Sequence, residues 1–239
     1  MEMNNKIALR AIVVILAVLL VLVIAITVRE GTLPQLQDDL PQDATQASTL
    51  PEEPLWNLGD GLYLMDAYNV SGTFIEDGSD VQVERVGAIK VENRSEKTLQ
   101  LADIFLIVDG SQYVFRLTTL PPGASATIQE AQKQTLGTLG KEFEVVTENV
   151  IFFQEEPTLH PDVFSLITGM YSIEITNNSG NDIAGPIYIY YKTVESNGYQ
   201  GGITYRVQVP DLKAGQTYQA YAGHFYDENS QVMFIDYAQ

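Results

Sequence analysis

The chain has 239 residues, no cysteine, and 31 acidic against 13 basic side chains, for a net charge of −18. Such a charge argues against nucleic acid and anionic lipid as partners, because both reward Lys and Arg. Without cysteine there is no disulfide, no thiolate nucleophile and no lipidated cysteine, so stability must come from core burial.

Residues 11–28 read AIVVILAVLLVLVIAITV, with Thr27 the one polar position. With its flanks, the run spans about 30 Å as a helix, the hydrocarbon thickness of a bilayer. Lys6 and Arg10 precede it, whereas from Arg29 to Arg85 there are twelve acids and no further basic residue. The positive-inside rule therefore makes residues 1–10 a cytoplasmic N-terminus and residues 11–29 a transmembrane signal anchor. Everything from residue 30 onward is extracytoplasmic. Arg29, on the outer flank, is long enough to snorkel to the interface. A cleaved signal has a shorter apolar core, about 7–15 residues, and ends in small residues; AITVR at 25–29 is a poor match. A cysteine-free exported chain points to a bacterium with one membrane and a thick wall. The N-x-S triplets at Asn69, Asn93 and Asn177 are then expected to be chance matches, not glycan acceptors.

Residues 30–54 carry Pro34, Pro41, Pro51 and Pro54, six acids and no aromatic residue. This is a linker. Partly in polyproline II, at about 3.1 Å per residue, it reaches on the order of 70 Å from the membrane. From Trp56 the texture changes to short β-rich runs between Gly, Asn, Asp and Pro turns. Strands are expected at 81–83, 88–91, 103–109 (DIFLIVD), 113–117, 126–128 and 150–153. One short helix is an option at 129–140, weakened by two glycines. Trp56 is expected to cap the core at the domain entrance. This spacing of strands and turns reads as all-β sandwich architecture.

The exterior part contains the same pattern twice. IKVENRS at 89–95 aligns with IEITNNS at 173–179, and IFLI at 104–107 with IYIY at 187–190. FRL at 115–117 aligns with YRV at 205–207, and LPPG at 120–123 with LKAG at 212–215. Glu148-Asn149 before VIFF at 150–153 aligns with Glu228-Asn229 before VMFI at 232–235. The Asn-x-Ser segments offer Asx or ST turns, and L-x-x-G supplies a turn that needs positive φ at glycine. The expected organisation is an all-β chain of two tandem units, at 55–156 and 157–239, after one N-terminal transmembrane helix. The aligned Arg116 and Arg206 are expected to form a repeated structural ion pair.

Strand, Asn-x-Ser turn, Phe-x-hydrophobic-aromatic-Asp strand and L-x-x-G together resemble the FxLYD-type Ig-like domains of exported Gram-positive surface proteins. Phe105, Ile107, Val108 and Asp109, then Leu120 and Gly123, carry the resemblance in the first copy. The second has Tyr188, Tyr190 and Tyr191, but Lys192 stands where the Asp belongs, and residues 201–205 (GGITY) are inserted. The resemblance covers about 40 residues of each copy by the repeat alignment. It implies Ig-like β-sandwiches and supplies no catalytic residues.

Chemistry-bearing residues are few. His160, before Pro161, is expected in a solvated interdomain loop; His224 is close enough in sequence to pair with Asp227. No G-x-S-x-G elbow is present, and two distant histidines do not make a zinc site. Paired carboxylates leave a hydrolase as a remote alternative. The acidic run 76–80 (EDGSD) lacks the spacing of an EF-hand loop. No catalytic, cofactor or metal site is therefore assigned. The candidate contact surface is Tyr188, Tyr190, Tyr199, Tyr218, Tyr221 and His224, because alternation along strands forbids all these rings from pointing inward. Cross-strand pairing on a half-buried sheet is the other account of the tyrosines. The expected function is non-catalytic: a membrane-anchored binding or scaffolding protein of a bacterial envelope, contacting another envelope protein. The alternative is a cell-wall or glycan-binding module using the Tyr-rich second unit.

Overall fold

Alternating apolar and polar residues, broken by Asp-Gly, Pro-Gly and Asn-x-Ser turns, leave little but strands. The computed structural model describes residues 53–137 and 143–238. The expected anchor and nearly all of the linker lie outside the described residues. Among the described residues no helix is long and apolar enough to cross a membrane.

The strands are β1 (Trp56–Gly59), β2 (Leu62–Phe74), β3 (Val81–Asn93), β4 (Leu99–Val108), β5 (Ser111–Leu120) and β6 (Ser125–Gln129). They continue with β7 (Phe143–Phe152), β8 (Phe164–Asn177), β9 (Ile187–Glu195), β10 (Gly198–Val209), β11 (Thr217–Tyr226) and β12 (Ser230–Asp236). A single 3-10 turn, Asp227–Asn229, joins the last two. The described part of the chain is thus all-β, built from several sheets. Asp60-Gly61 and Asp109-Gly110 close the β1–β2 and β4–β5 hairpins, all four residues at positive φ. That geometry is what a two-residue turn needs to match the twist of its strands.

Three sheets form: β1-β2-β3-β6-β10-β9-β12, β5-β4-β7 and β11-β8. Two hydrophobic clusters lie between them. In the first, Leu62, Leu64, Ile89 and Ile128 of the large sheet meet Leu99, Ile104, Leu106 and Phe115 of the three-stranded sheet. In the second, Ile187, Ile189 and Ile235 meet Ile173, Ile175 and Ala222 of the two-stranded sheet. Each buried aliphatic or aromatic side chain contributes about 1.5–3 kcal/mol.

The pairing scheme occurs twice. β3 pairs antiparallel with β6 while β4 sits between β5 and β7. Likewise β8 pairs antiparallel with β11 while β9 sits between β10 and β12. The turn chemistry also occurs twice. Asn93 donates through Nδ2 to the carbonyls of Lys97 (2.9 Å) and Leu120 (2.7 Å), and Ser95 donates its N–H and hydroxyl to Asn93 Oδ1. Asn177 donates to Asn181 (2.7 Å) and Leu212 (3.1 Å), and Ser179 donates its N–H and hydroxyl to Asn177 Oδ1. Gly123 and Gly215, at φ 72° and 74°, each donate an N–H to the carbonyl of the paired Asn. Both Asn side chains are fully buried with their amide hydrogens committed, so neither presents a free acceptor for a glycan.

Two local expectations differ from the structure. Gln129 ends β6 and residues 130–137 are a loop, not a helix. Buried Glu130 accepts the N–H groups of Val114, Gln132 and Gln134, which holds the chain off the helical path. Trp56 is 42% exposed and leans on Phe143, ring centroids 5.5 Å apart, so it shields an edge and is not enclosed.

Candidate functional site

The large sheet is continuous because β6 and β10 pair in parallel, Ala126 with Tyr199 and Gln200 with Thr127. Three glycines permit the approach. A Cβ on Gly198 would meet the Ser125 carbonyl, and one on Gly202 would drive into the carbonyl of Arg116. Gly201 sits at φ +78° against Ile75. The inserted GGITY segment is therefore the seam where the two hydrophobic clusters adjoin.

Two charged groups hold that seam. Lys192 is completely buried and its ammonium donates to the carbonyls of Thr118 (2.9 Å), Gly202 (3.1 Å) and Ile203 (3.0 Å). All three donors of the ammonium are thereby used. Half-buried Glu76 turns its carboxylate inward to accept the N–H of Gln129 (2.8 Å) and of Gly202 (2.9 and 3.1 Å). The two charges grip one peptide stretch from opposite sides instead of touching. Burial pushes Glu76 up to about 7, opposed by its main-chain donors and by Lys192. Burial pushes Lys192 down to about 7, opposed by Glu76. Thr118 also hydrogen-bonds Thr204 across the seam, at 2.9 Å.

His224 belongs to the same seam. Its Nδ1 lies 3.2 Å from Asp80 Oδ2, an ion-pair distance but off the hydrogen-bonding direction. Its ring stacks on Tyr205, centroids 4.4 Å apart at 16°. Tyr205 donates to the Ile75 carbonyl and Tyr226 to Asp80. Burial, then the nearby carboxylates, raises the pKa of both phenols. His224 thus faces Asp80 of the β2–β3 connection, not Asp227, and no serine or threonine hydroxyl among the described residues hydrogen-bonds to it. The acidic run 76–80 splits three ways: Glu76 to the seam, Asp77 to Lys133 at 2.9 Å, and Asp80 to His224 and Tyr226. Its carboxylates therefore do not converge. Among the described residues no three His, Asp or Glu side chains are grouped as a metal site.

The remaining candidates scatter. Tyr199 is 7% exposed, packs in the first cluster and donates to Gln231 at 3.0 Å, so it is not part of any contact surface. Tyr188 and Tyr190 are half-buried; Tyr190 stacks on its cross-strand partner Phe234 at 4.2 Å. Tyr218 is half-buried against the second cluster. Tyr221 is 77% exposed, on a sheet that also exposes Ile167 (67%), Met170 (59%) and Tyr171 (44%). The expected repeat of an ion pair is only half present. Arg116 pairs with Asp103 at 2.7 Å, whereas Arg206 lies over the Tyr188 ring, 4.8 Å from its centroid. The residue opposite Arg206 is Tyr190, not a carboxylate.

Two clefts flank the seam. One, about 400 Å³, is polar, with Ser71, Thr73, Thr127, Gln129 and Gln200 in its walls. The other, about 540 Å³, is lined by Phe153, Tyr190 and Phe234 together with Glu155, Glu156 and Asp236. His160 also lines it; half-buried and edge-on to Tyr237 at 5.0 Å, it is not the solvated loop residue expected. Sequence reasoning missed the Glu76–Lys192 clamp. Its signals were a lysine within an apolar strand and a Gly-Gly insertion.

No family model matches the chain, and no curated protein matches it. Among solved structures, the C-terminal globular domain of an oligosaccharyltransferase from Pyrococcus abyssi aligns at 9% identity with a TM-score of 0.14. The alignment covers 77% of this chain and 48% of that one, so the chain spans about half the length of that domain. A similarity of that size bears on neither fold nor function.

Proposed function

We propose that the chain is a non-catalytic, membrane-anchored binding or scaffolding protein of a bacterial envelope, acting by protein–protein contact outside the membrane. In this proposal residues 11–29 anchor it, the acidic Pro-rich linker sets its reach, and the two halves are tandem Ig-like sandwiches of FxLYD type. The repeated pairing scheme and the repeated Asn-x-Ser turns support the duplication. The observation that carries the binding role is the exposed apolar surface of β8 and β11, where Tyr221, Ile167 and Met170 are each more than half exposed. Exposed apolar side chains gathered on one small sheet support a contact role, since large exposed apolar patches mark interaction sites.

A photo-crosslinking residue at position 221, in intact cells of the source organism, should yield a discrete adduct with one envelope protein. Absence of an adduct from positions 167, 170 and 221 alike would remove the proposal. A second proposal, binding of wall polymer or glycan by the Tyr-rich half, is favoured by Tyr190 and Phe234 lining a cleft. Co-sedimentation of the detergent-solubilised chain with purified wall polymer tests it.

A further inference from the structure

The 540 Å³ cleft beside the seam combines aromatic walls with unneutralised acid. Phe153, Tyr190 and Phe234 contribute rings from three separate segments: the chain after β7, β9 and β12. Their mutual packing, Tyr190 stacked on Phe234 and Phe153 edge-on to Phe234 at 5.4 Å, fixes them as one wall. Glu155, Glu156 and Asp236 line the same space and are exposed. None of the three has a basic partner among the described residues, and no Lys or Arg lines the cleft. Glu156 accepts the Thr98 hydroxyl, and that is its one hydrogen bond. Asp77, Glu92 and Asp182 on the surface, and buried Asp103, each have a Lys or Arg neighbour; what sets the cleft acids apart from other exposed carboxylates is the aromatic wall beside them.

The geometry points to this cleft as the docking site of a basic peptide segment from a partner protein, its Lys or Arg side chains lying along the aromatic wall with their charges on Glu155, Glu156 and Asp236. The chemistry is complementary at both ends of such a side chain. Its methylene stem covers apolar ring surface while its charge meets carboxylates, and a cation over a ring face gains further attraction. A neutral sugar would use the rings but leave the three charges uncompensated. A bare divalent cation would use the charges but not the rings. An anionic polymer is repelled. This inference rests on the proposal that the chain is a binding ectodomain, and names the chemistry of what one of its surfaces takes.

The test uses the full chain in detergent micelles and fluorescently labelled hexalysine as probe. Hexalysine should bind, more weakly as salt is raised. The triple variant Glu155→Gln, Glu156→Gln, Asp236→Asn should weaken it about tenfold, a loss of about 1.4 kcal/mol. A charge-matched control, Asp109→Asn, Glu144→Gln, Glu228→Gln, should stay within about twofold, since exposed charges far from the probe count for little. Tyr190→Ala should weaken binding without changing net charge. A charge reversal, Glu155→Lys with Asp236→Lys, should lower hexalysine affinity further than the neutral triple variant while the melting temperature stays at that of the parent chain, which a merely misfolded variant would not do. Equal loss in both triple variants, or no binding at all, overturns the inference. So does a cleft-dependent preference for a neutral oligosaccharide or for Ca²⁺. Crosslinks from position 221 that persist in the cleft variants would leave the binding role standing while this docking site falls.

Discussion

Asn93 and Asn177 carry more of the fold than their size implies. Each is buried and donates to carbonyls, two for Asn93 and three for Asn177, while its own oxygen takes the N–H and hydroxyl of a serine. Replacing either by alanine strands those groups away from water. The expected loss is about 2–3 kcal/mol for each, read as a shift in denaturant midpoint. Asp103 makes a prediction in pH. The Arg116 guanidinium, then Asn149, holds its carboxyl below the ordinary range. A depressed carboxylate contributes stability that is present above its unfolded value, about 3.9, and is lost as pH falls through the lower folded one. Asp103→Asn should therefore flatten the acid limb of the stability profile, its deficit against the parent chain being largest near neutrality and shrinking as pH falls through the carboxyl's folded value. The Asn-x-Ser turns were legible from sequence because Ser95, Lys97, Ser179 and Asn181 lie two to four residues from their Asn, whereas the bonds to Leu120 and Leu212 are long-range and were not. The partner of Arg206 was not, because a ring in place of a carboxylate is decided by strand register.

At the scale of elements, the hairpins follow from local chemistry. Asp-Gly at 60–61 and 109–110 dictates turns whatever surrounds them. The β3, β4 and β5 strands likewise follow from runs of apolar residues. β2 is not legible from sequence because Asp66, Asn69, Ser71 and Gly72 interrupt its apolar pattern, which reads as loop. The helix option at 129–140 failed because a buried carboxylate, Glu130, outcompeted helical pairing for nearby N–H groups. The glycines of the seam are a sharper case. Gly202→Ala should cost about 1–3 kcal/mol and lower the melting temperature, since a methyl group there must displace the Arg116 main chain. A Cβ at Gly110 meets open space, so Gly110→Ala should cost only the strain of positive φ, about 1–2 kcal/mol.

At the scale of the molecule, the seam turns two hydrophobic clusters into neighbours under one sheet. Lys192→Met would leave Glu76 with its carboxylate turned inward and no nearby cation, and should destabilise by about 3–5 kcal/mol. Adding Glu76→Gln should recover part of that loss, so the double variant costs less than the sum of the singles; a double-mutant cycle in denaturant measures the coupling. What the sequence determined by itself was what short-range chemistry can decide: all-β character, hairpin turns, the two Asn-x-Ser turns and the alignment between them. Those depend on residues a few positions apart, whose geometry the chain fixes locally. The tertiary structure alone decided that Lys192 is buried, that Tyr199 is core, that His224 faces Asp80, and that aromatic and acidic residues from three segments line one cleft. Each of these rests on strands distant in sequence, and a strand's face and neighbours depend on register and sheet order, which no local pattern encodes.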